Sequence, residues 1–205
     1  ALDCRGYKKS QGAAVREALI AQLLKTQQNG AWSISNDGTG GLDKDMTAMA
    51  VQALAPYRSR ADVAAAINSA MRWLSEKFQK TGDYGSSETA AQVIVALSAL
   101  GRDAATDPDF VTASGVSLLS NFLSYADETT GGFLHDRQSN STVNQMSSEQ
   151  AAYTLVAYDR YVKGSNRLYD MSDATKRANA TVQEVIDMIA AIGPVGEGSY
   201  NAIAE

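Results

Sequence analysis

A ten-residue segment recurs three times in this chain, and that recurrence restricts the fold more than any other feature. The copies are DMTAMAVQAL at 45–54, ETAAQVIVAL at 88–97 and EQAAYTLVAY at 149–158. Each opens with an acid: Asp45, Glu88 and Glu149. Each has alanine in the fourth place (Ala48, Ala91, Ala152) and in the ninth (Ala53, Ala96, Ala157), then a large residue, Leu54, Leu97 or Tyr158. Such segments are apolar nearly all round, so they predict buried helices rather than surface ones. The spaced alanines let a neighbouring helix approach closely. An acid at the start of a helix complements its unpaired N–H groups and dipole. Ser87 and Ser148, one residue ahead of the glutamates, are candidate N-caps.

An amphipathic segment precedes each copy, at 13–28, 61–79 and 109–126. Apolar residues fall at helical spacing in all three: Val15, Leu19, Ile20, Leu23 and Leu24; Val63, Ile67, Ala70, Met71 and Leu74; Val116, Leu119, Phe122 and Leu123. Asp107-Pro108 reads as cap and first turn of the third. Between the two helix types lies a glycine–aromatic turn: GAW at 30–32, GDYG at 82–85 and GGF at 131–133. Glycine permits the left-handed exit, and the aromatic ring can fold back over the helix pair. The unit is therefore an outer helix, a turn and a buried inner helix. Leading acids stand 43 and then 61 residues apart, the excess falling mainly in loops at 101–109 and 134–147.

Composition narrows the function. A net charge of −5 argues against a phosphate backbone as partner. One cysteine, Cys4, rules out an intrachain disulfide and a CxxC motif. The single histidine, His135, has no second histidine for a metal site and reads as a solvent-facing or hydrogen-bonded loop residue. No apolar run approaches the roughly 20 residues of a membrane span, and no signal-peptide pattern is present. The sequence opens on Ala-Leu-Asp and stops inside a helical pattern, which reads as an excised piece of a longer chain.

The unit resembles the prenyltransferase/squalene-oxidase repeat of terpene cyclases, protein prenyltransferase β-subunits, cobalamin carriers and complement thioester domains. More closely, DMTAMAVQALAPY, AAQVIVALSALGRD and SSEQAAYTLVAYDRYVKGSNRLYDMSD resemble the toroid-like domains of secreted or wall-attached proteins of Gram-positive bacteria. The resemblance covers 1–172. It implies an all-α fold, a partial α/α toroid of about three helix-hairpin repeats, with a ligand cavity at one mouth and an extracellular or wall-attached location. A complete toroid has about six hairpins, so about half the ring is absent from this sequence. The open flanks then call for cover, from the rest of a parent chain, from self-association or from the tail. That tail, 173–205, carries Val182, Val185, Ile186, Ile189 and Ile192 on one helical face. It resembles the start of a helical spacer module, and reads equally as a terminal helix packed on the toroid.

Candidate site residues follow from the same resemblance. Leu42-Asp43-Lys44-Asp45-Met46-Thr47-Ala48 resembles the DxDD-Thr-Ala motif of squalene and hopene cyclases, in which the middle aspartate protonates an alkene. Asp45 would be that general acid. Met46 departs from the motif, and Glu88 and Glu149 share Asp45's place in the repeat, which points to a structural helix-start acid. Cys4 and His135 do not match the zinc ligands of protein prenyltransferases, and Cys4-Arg5-Gly6-Tyr7 is not a thioester motif, so no metal or cofactor is expected. The ligand-binding candidates are Asp43, Asp45, Trp32, Glu88, Glu149 and Tyr153. Tyr84, Phe133, Tyr158 and Tyr161 join Trp32 and Tyr153 as aromatics that either line a cavity or pack. Arg160, Lys163 and Arg167 read as a solvated basic face, and Asn140 and Asn179 match the glycosylation pattern.

The sequence thus predicts a non-catalytic domain of a bacterial extracellular surface protein, binding a small molecule, a glycan or a protein, or serving as scaffold. The alternatives are a cyclase-like enzyme using Asp45 and a cobalamin-carrier-like binder. Two placements are expected: the three leading acids at one end of parallel inner helices, and Leu24, Leu74 and Leu123 buried against the inner helix of their own repeat.

Overall fold

The computed structural model describes residues 13–35, 39–138 and 140–174. The chain divides into two compact units, Ala1–Asp173 and Ala174–Glu205. All described residues except Ala174 belong to the first. The helix expected around 182–192 lies outside the described residues, as do Cys4 and Asn179.

The fold is all-α in character. Among the described residues are six helices: α1 (Ala13–Thr26), α2 (Lys44–Leu54), α3 (Ala61–Gln79), α4 (Ser87–Leu100), α5 (Leu118–Leu123) and α6 (Gln145–Val162). The one sheet is a two-residue ribbon, β1 (Trp32–Ser33) antiparallel to β2 (Leu42–Asp43). Short 3-10 turns occupy Ala55–Tyr57 and Pro108–Phe110.

The three repeated segments become α2, α4 and α6, which lie side by side with α4 in the middle. Their direction follows from paired contacts. Asp45 bonds Thr89 and Gln52 bonds Gln92, while Ser147 bonds Glu88 and Gln92 bonds Gln150. In each pair, later residues of one helix meet later residues of the next, so the three run parallel. Helix α3 packs on α2, α5 on α4 and α1 on α3.

Helix α4 is buried along its whole length from Ser87 to Ser98, because it has neighbours on every side. Ser86, rather than Ser87, caps it by accepting from the Thr89 N–H, and Gly101 ends it at φ 74°. The edge helices behave differently from the expectation of full burial. On α2, Met49 and Ala53 are exposed, and on α6 only Ser147, Ala151, Thr154 and Ala157 are buried. Among the described residues both edge helices have an inner-helix neighbour, α4, on one side only.

The glycine–aromatic turns fold back as the spacing predicts. Trp32 donates its indole N–H to the Leu23 carbonyl of α1 (2.8 Å), and Tyr84 donates its hydroxyl to the Leu74 carbonyl of α3 (2.8 Å). Phe133 stacks on Phe122 of α5, with ring centres 5.0 Å apart. Gly30, at φ +84°, has no room for a side chain: an added Cβ would stand 2.9 Å from the Ser69 carbonyl oxygen.

Several expectations about the outer helices are corrected. The predicted helix at 109–126 is only Leu118–Leu123. Thr112 and Val116 close a tight turn through Gly115 (φ 85°), and Ser117 and Ser120 then form a capping box that restarts the helix. Asp107 caps only the 3-10 turn at Pro108–Phe110. The restart turns the buried face to Leu118 and Phe122, so Leu123 is 45% exposed, whereas Leu74 is fully buried and Leu24 partly so. Their neighbours also differ from the expectation: α3 and α5 pack mainly on the inner helix of the preceding repeat, and α1 on α3, rather than on the inner helix of their own repeat. Val116 is exposed in the same turn. On α1, Val15 and Leu19 face outward, and the packed stripe is Arg16, Ile20, Leu23, Leu24 and Gln27. Gln27 fixes that orientation by donating to the Ala66 carbonyl of α3 (2.9 Å).

The contrast between centre and edge is testable at one repeat position. Ala91→Leu on α4 should cost about 1–3 kcal/mol of stability through overpacking. Ala152→Leu, on the exposed side of α6, should stay within about 0.5 kcal/mol. Urea denaturation of both variants against the parent measures the difference.

Candidate functional site

Four carboxylates gather around the N-terminal ends of the inner helices, and each does a different job. Asp43 sits in extended backbone as the N-cap of α2, and its Oδ1 accepts the Met46 N–H at 2.8 Å. The Thr47 hydroxyl donates to the Asp43 carbonyl at 2.6 Å and accepts the Trp32 N–H at 3.0 Å. Capping therefore falls to Asp43, and Asp45 is left to face α4.

Asp45 takes a hydrogen bond from the Thr89 hydroxyl, while its Oδ1 is buried with no partner. Burial raises its pKa above the ordinary carboxylate value, and the charges of Asp43 and Glu88 add to that rise. Thr89 and Lys44 oppose it without prevailing. Asp45 thus keeps its proton to higher pH than an ordinary aspartate.

Glu88 is the joint between α4, α6 and the loop ahead of α6. Its Oε1 accepts from the Ser147 hydroxyl at 2.5 Å, and its Oε2 lies 2.8 Å from His135 Nδ1. The loop is held in place by Ser87, whose N–H donates to the His135 carbonyl (2.9 Å) and whose hydroxyl donates to the Leu134 carbonyl (2.7 Å). His135 itself is largely exposed.

Glu149 departs from the expected helix-start role. Asn144 caps α6, accepting from the Met146 and Ser147 N–H groups, so α6 begins at Gln145 and Glu149 falls in its second turn, exposed. Ser148 is likewise not a cap; its hydroxyl accepts the Phe133 N–H at 2.9 Å. The early start follows from Asn144, whose side chain bonds the backbone two and three residues on.

One turn further in, amides cross the row. Gln52 Nε2 donates to the Gln92 carbonyl (2.9 Å) and side-chain oxygen (3.0 Å). Gln92 Nε2 donates to Gln150 Oε1 (2.9 Å) and to the Tyr153 hydroxyl, which in turn donates to Gln150 Oε1 (3.1 Å). Burial pushes the Tyr153 pKa up to about 12, with Tyr169, Asp45 and Glu149 adding to the rise.

The fold thus brings Asp45, Glu88 and Tyr153 together, keeps Asp43 as a cap and leaves Glu149 at the surface. Trp32 stands apart. It lines a groove of about 220 Å³ at the other edge of α2, with Leu23, Ile34, Met46, Met49 and Ala53 among its walls, and none of the acids reach it. A second, more polar depression of about 420 Å³ lies among Lys44, Trp73, Lys77 and Tyr84. The basic residues at the end of α6 and just beyond it are each matched by an acid: Arg160 by Asp173, Lys163 by Asp159 and Arg167 by Asp170. Among the described residues no three His, Cys, Asp or Glu side chains are placed to hold a metal ion, and no helix is long and apolar enough to cross a membrane.

Thr89, Gln92, Ser147 and His135 complete this cluster, and the sequence reading had not assigned them to it. A signal existed for the amides: Gln52, Gln92 and Gln150 are polar interruptions of otherwise apolar repeats. No family model, curated protein or solved structure matches the chain.

Two outcomes follow. Ser147→Ala strips a buried carboxylate of a donor and should cost about 1–3 kcal/mol by denaturant titration, whereas Glu149→Gln should change little. Asp45→Asn should stabilise the protein near neutral pH. The raised native pKa means that the folded state holds the Asp45 proton more tightly than the unfolded chain, so ionisation penalises folding as pH climbs. The variant's advantage should vanish below the ordinary aspartate pKa of 3.8 and grow as pH rises through the raised value. Melting temperatures across pH 3–8 would show it.

Proposed function

We propose that this chain is a non-catalytic binding or scaffold domain of a bacterial extracellular surface protein, built as a partial α/α toroid. The observation that carries the reading is the use made of the repeat's polar positions. Glu88, Gln52, Gln92, Gln150 and Ser147 hydrogen-bond one helix to the next, rather than converging on a cavity. The parallel row of inner helices, each preceded by a glycine–aromatic turn tied to an outer helix, fits the toroid resemblance. The extracellular location rests on the likeness of the three repeat strings to wall-attached proteins.

A second reading keeps one specific support. Asp45 is not consumed by backbone capping, its Oδ1 is unpartnered, and burial raises its pKa. Those are the properties of a general acid. The apolar groove, however, opens on the opposite edge of α2, where Asp45 does not line it.

One pair of assays separates the readings. The chain and its Asp45→Asn variant, incubated with a squalene-type polyene and with a prenyl diphosphate, should both give no product. Product from the parent that disappears in the variant would overturn the non-catalytic reading. Protease added to intact cells of the source organism should degrade the protein; protection until lysis would contradict the surface location.

A further inference from the structure

The row α2–α4–α6 ends in two edges that match each other. Counting each repeated segment from its leading acid, α4 receives α2 at its second and fifth residues, Thr89 and Gln92. α6 receives Gln92 of α4 at the same places, Gln150 and Tyr153, and Glu88 at Ser147, two residues ahead of its own leading acid. On α2 those places are Met46 and Met49. Both line the 220 Å³ groove, together with Ala53 from the ninth place, and Met49 is 48% exposed. The groove is the receiving face of an inner helix, and among the described residues no inner helix lies in it.

The opposite edge offers what such a face takes. In both internal contacts the leading acid is presented to a hydroxyl: Asp45 to Thr89, Glu88 to Ser147. On α6 the leading acid, Glu149, is exposed. So are the fourth residue, Ala152, and the eighth, Val156, at 47%. The eighth place is the one through which α2, by Gln52, reaches α4. The groove walls carry Ser33 and Ser35, whose hydroxyls bond each other, so that one of the pair keeps a proton to offer the acid. Ile34, 70% exposed at the rim, supplies further apolar surface.

We propose that the chain associates head to tail with a second copy of itself, α6 of one copy entering the α2 groove of the other. The contact extends the row of parallel inner helices by one more neighbour, with a leading acid again set against the next helix and the second and fifth places again on the receiving side. It joins two different patches, so it either closes into a ring or extends as a chain of subunits. The inference stands on the helix row alone and holds whether or not the domain catalyses a reaction.

Light scattering on the eluting chain tests it. The parent should run at a multiple of its 21.8 kDa mass. Met49→Glu and Val156→Glu each place a carboxylate in the apolar contact and should weaken association by about 100-fold or more. Both residues are about half exposed, so circular dichroism and melting temperature should match those of the parent. Mixing the two single variants should then give a 1:1 complex, because one chain keeps a sound α6 edge and the other a sound groove. A parent that stays monomeric at its highest soluble concentration would overturn the proposal. So would an oligomer indifferent to both substitutions, or two monomeric variants that fail to combine when mixed.

Discussion

A helix surrounded on every side must satisfy two demands at once, and α4 is where both are met. Its apolar residues, Ala90, Ala91, Val93, Ile94, Val95, Ala96 and Leu97, are all essentially inaccessible. Three alanines in that run let the neighbouring helices come close, and the dense contact stabilises the layer. The same closeness leaves no water for Glu88, Thr89 and Gln92, all under 9% exposed. Each must find its partners on an adjacent helix, since an orphaned buried polar group costs about 1–3 kcal/mol. Glu88 finds Ser147 and His135, Thr89 finds Asp45, and Gln92 finds Gln52, Gln150 and Tyr153.

Those bonds set register as well as stability. Apolar contact alone is non-directional and would tolerate a helix sliding by a turn. An amide ladder with a carboxylate–hydroxyl joint one turn away does not, because a shift would leave several buried groups unpaired together. The loop at 134–137 is drawn into the same arrangement through Ser87 and His135. The scheme is incomplete at Asp45, with an unpartnered oxygen and a raised pKa, and at the hydroxyls of Ser98 on α4 and Thr154 on α6, which are also buried without a partner.

Helix identity was legible because the repeat carries it. Segments 45–54, 88–97 and 149–158 are alanine-rich and apolar, and the glycine–aromatic turns mark where each hairpin bends. Burial was less legible, since it depends on neighbours that a single segment does not encode. Val95 on α4 and Val156 on α6 hold the same repeat place; one is buried and the other 47% exposed, because only α4 has helices on both sides. The third outer helix was misread for a local reason: Val116, Leu119 and Phe122 keep helical spacing across a break made by Gly115 and Ser117. Of the site, the acids were visible as residues, but their division of labour was not. Whether Asp43 or Asp45 caps α2 turns on one residue of register, and Asn144 moves the start of α6 a full turn ahead of Glu149.

If α4 is the element on which the rest depends, its backbone should open last. Native-state hydrogen exchange, followed by NMR on a dilute sample, measures this amide by amide. The account predicts that the slowest amides lie in α4, around Val93 to Leu97, and exchange only with global unfolding. The exposed sides of α1 and α6 should exchange earlier through local opening. Equal protection across α1, α4 and α6, or an α4 that exchanges before α6, would contradict it.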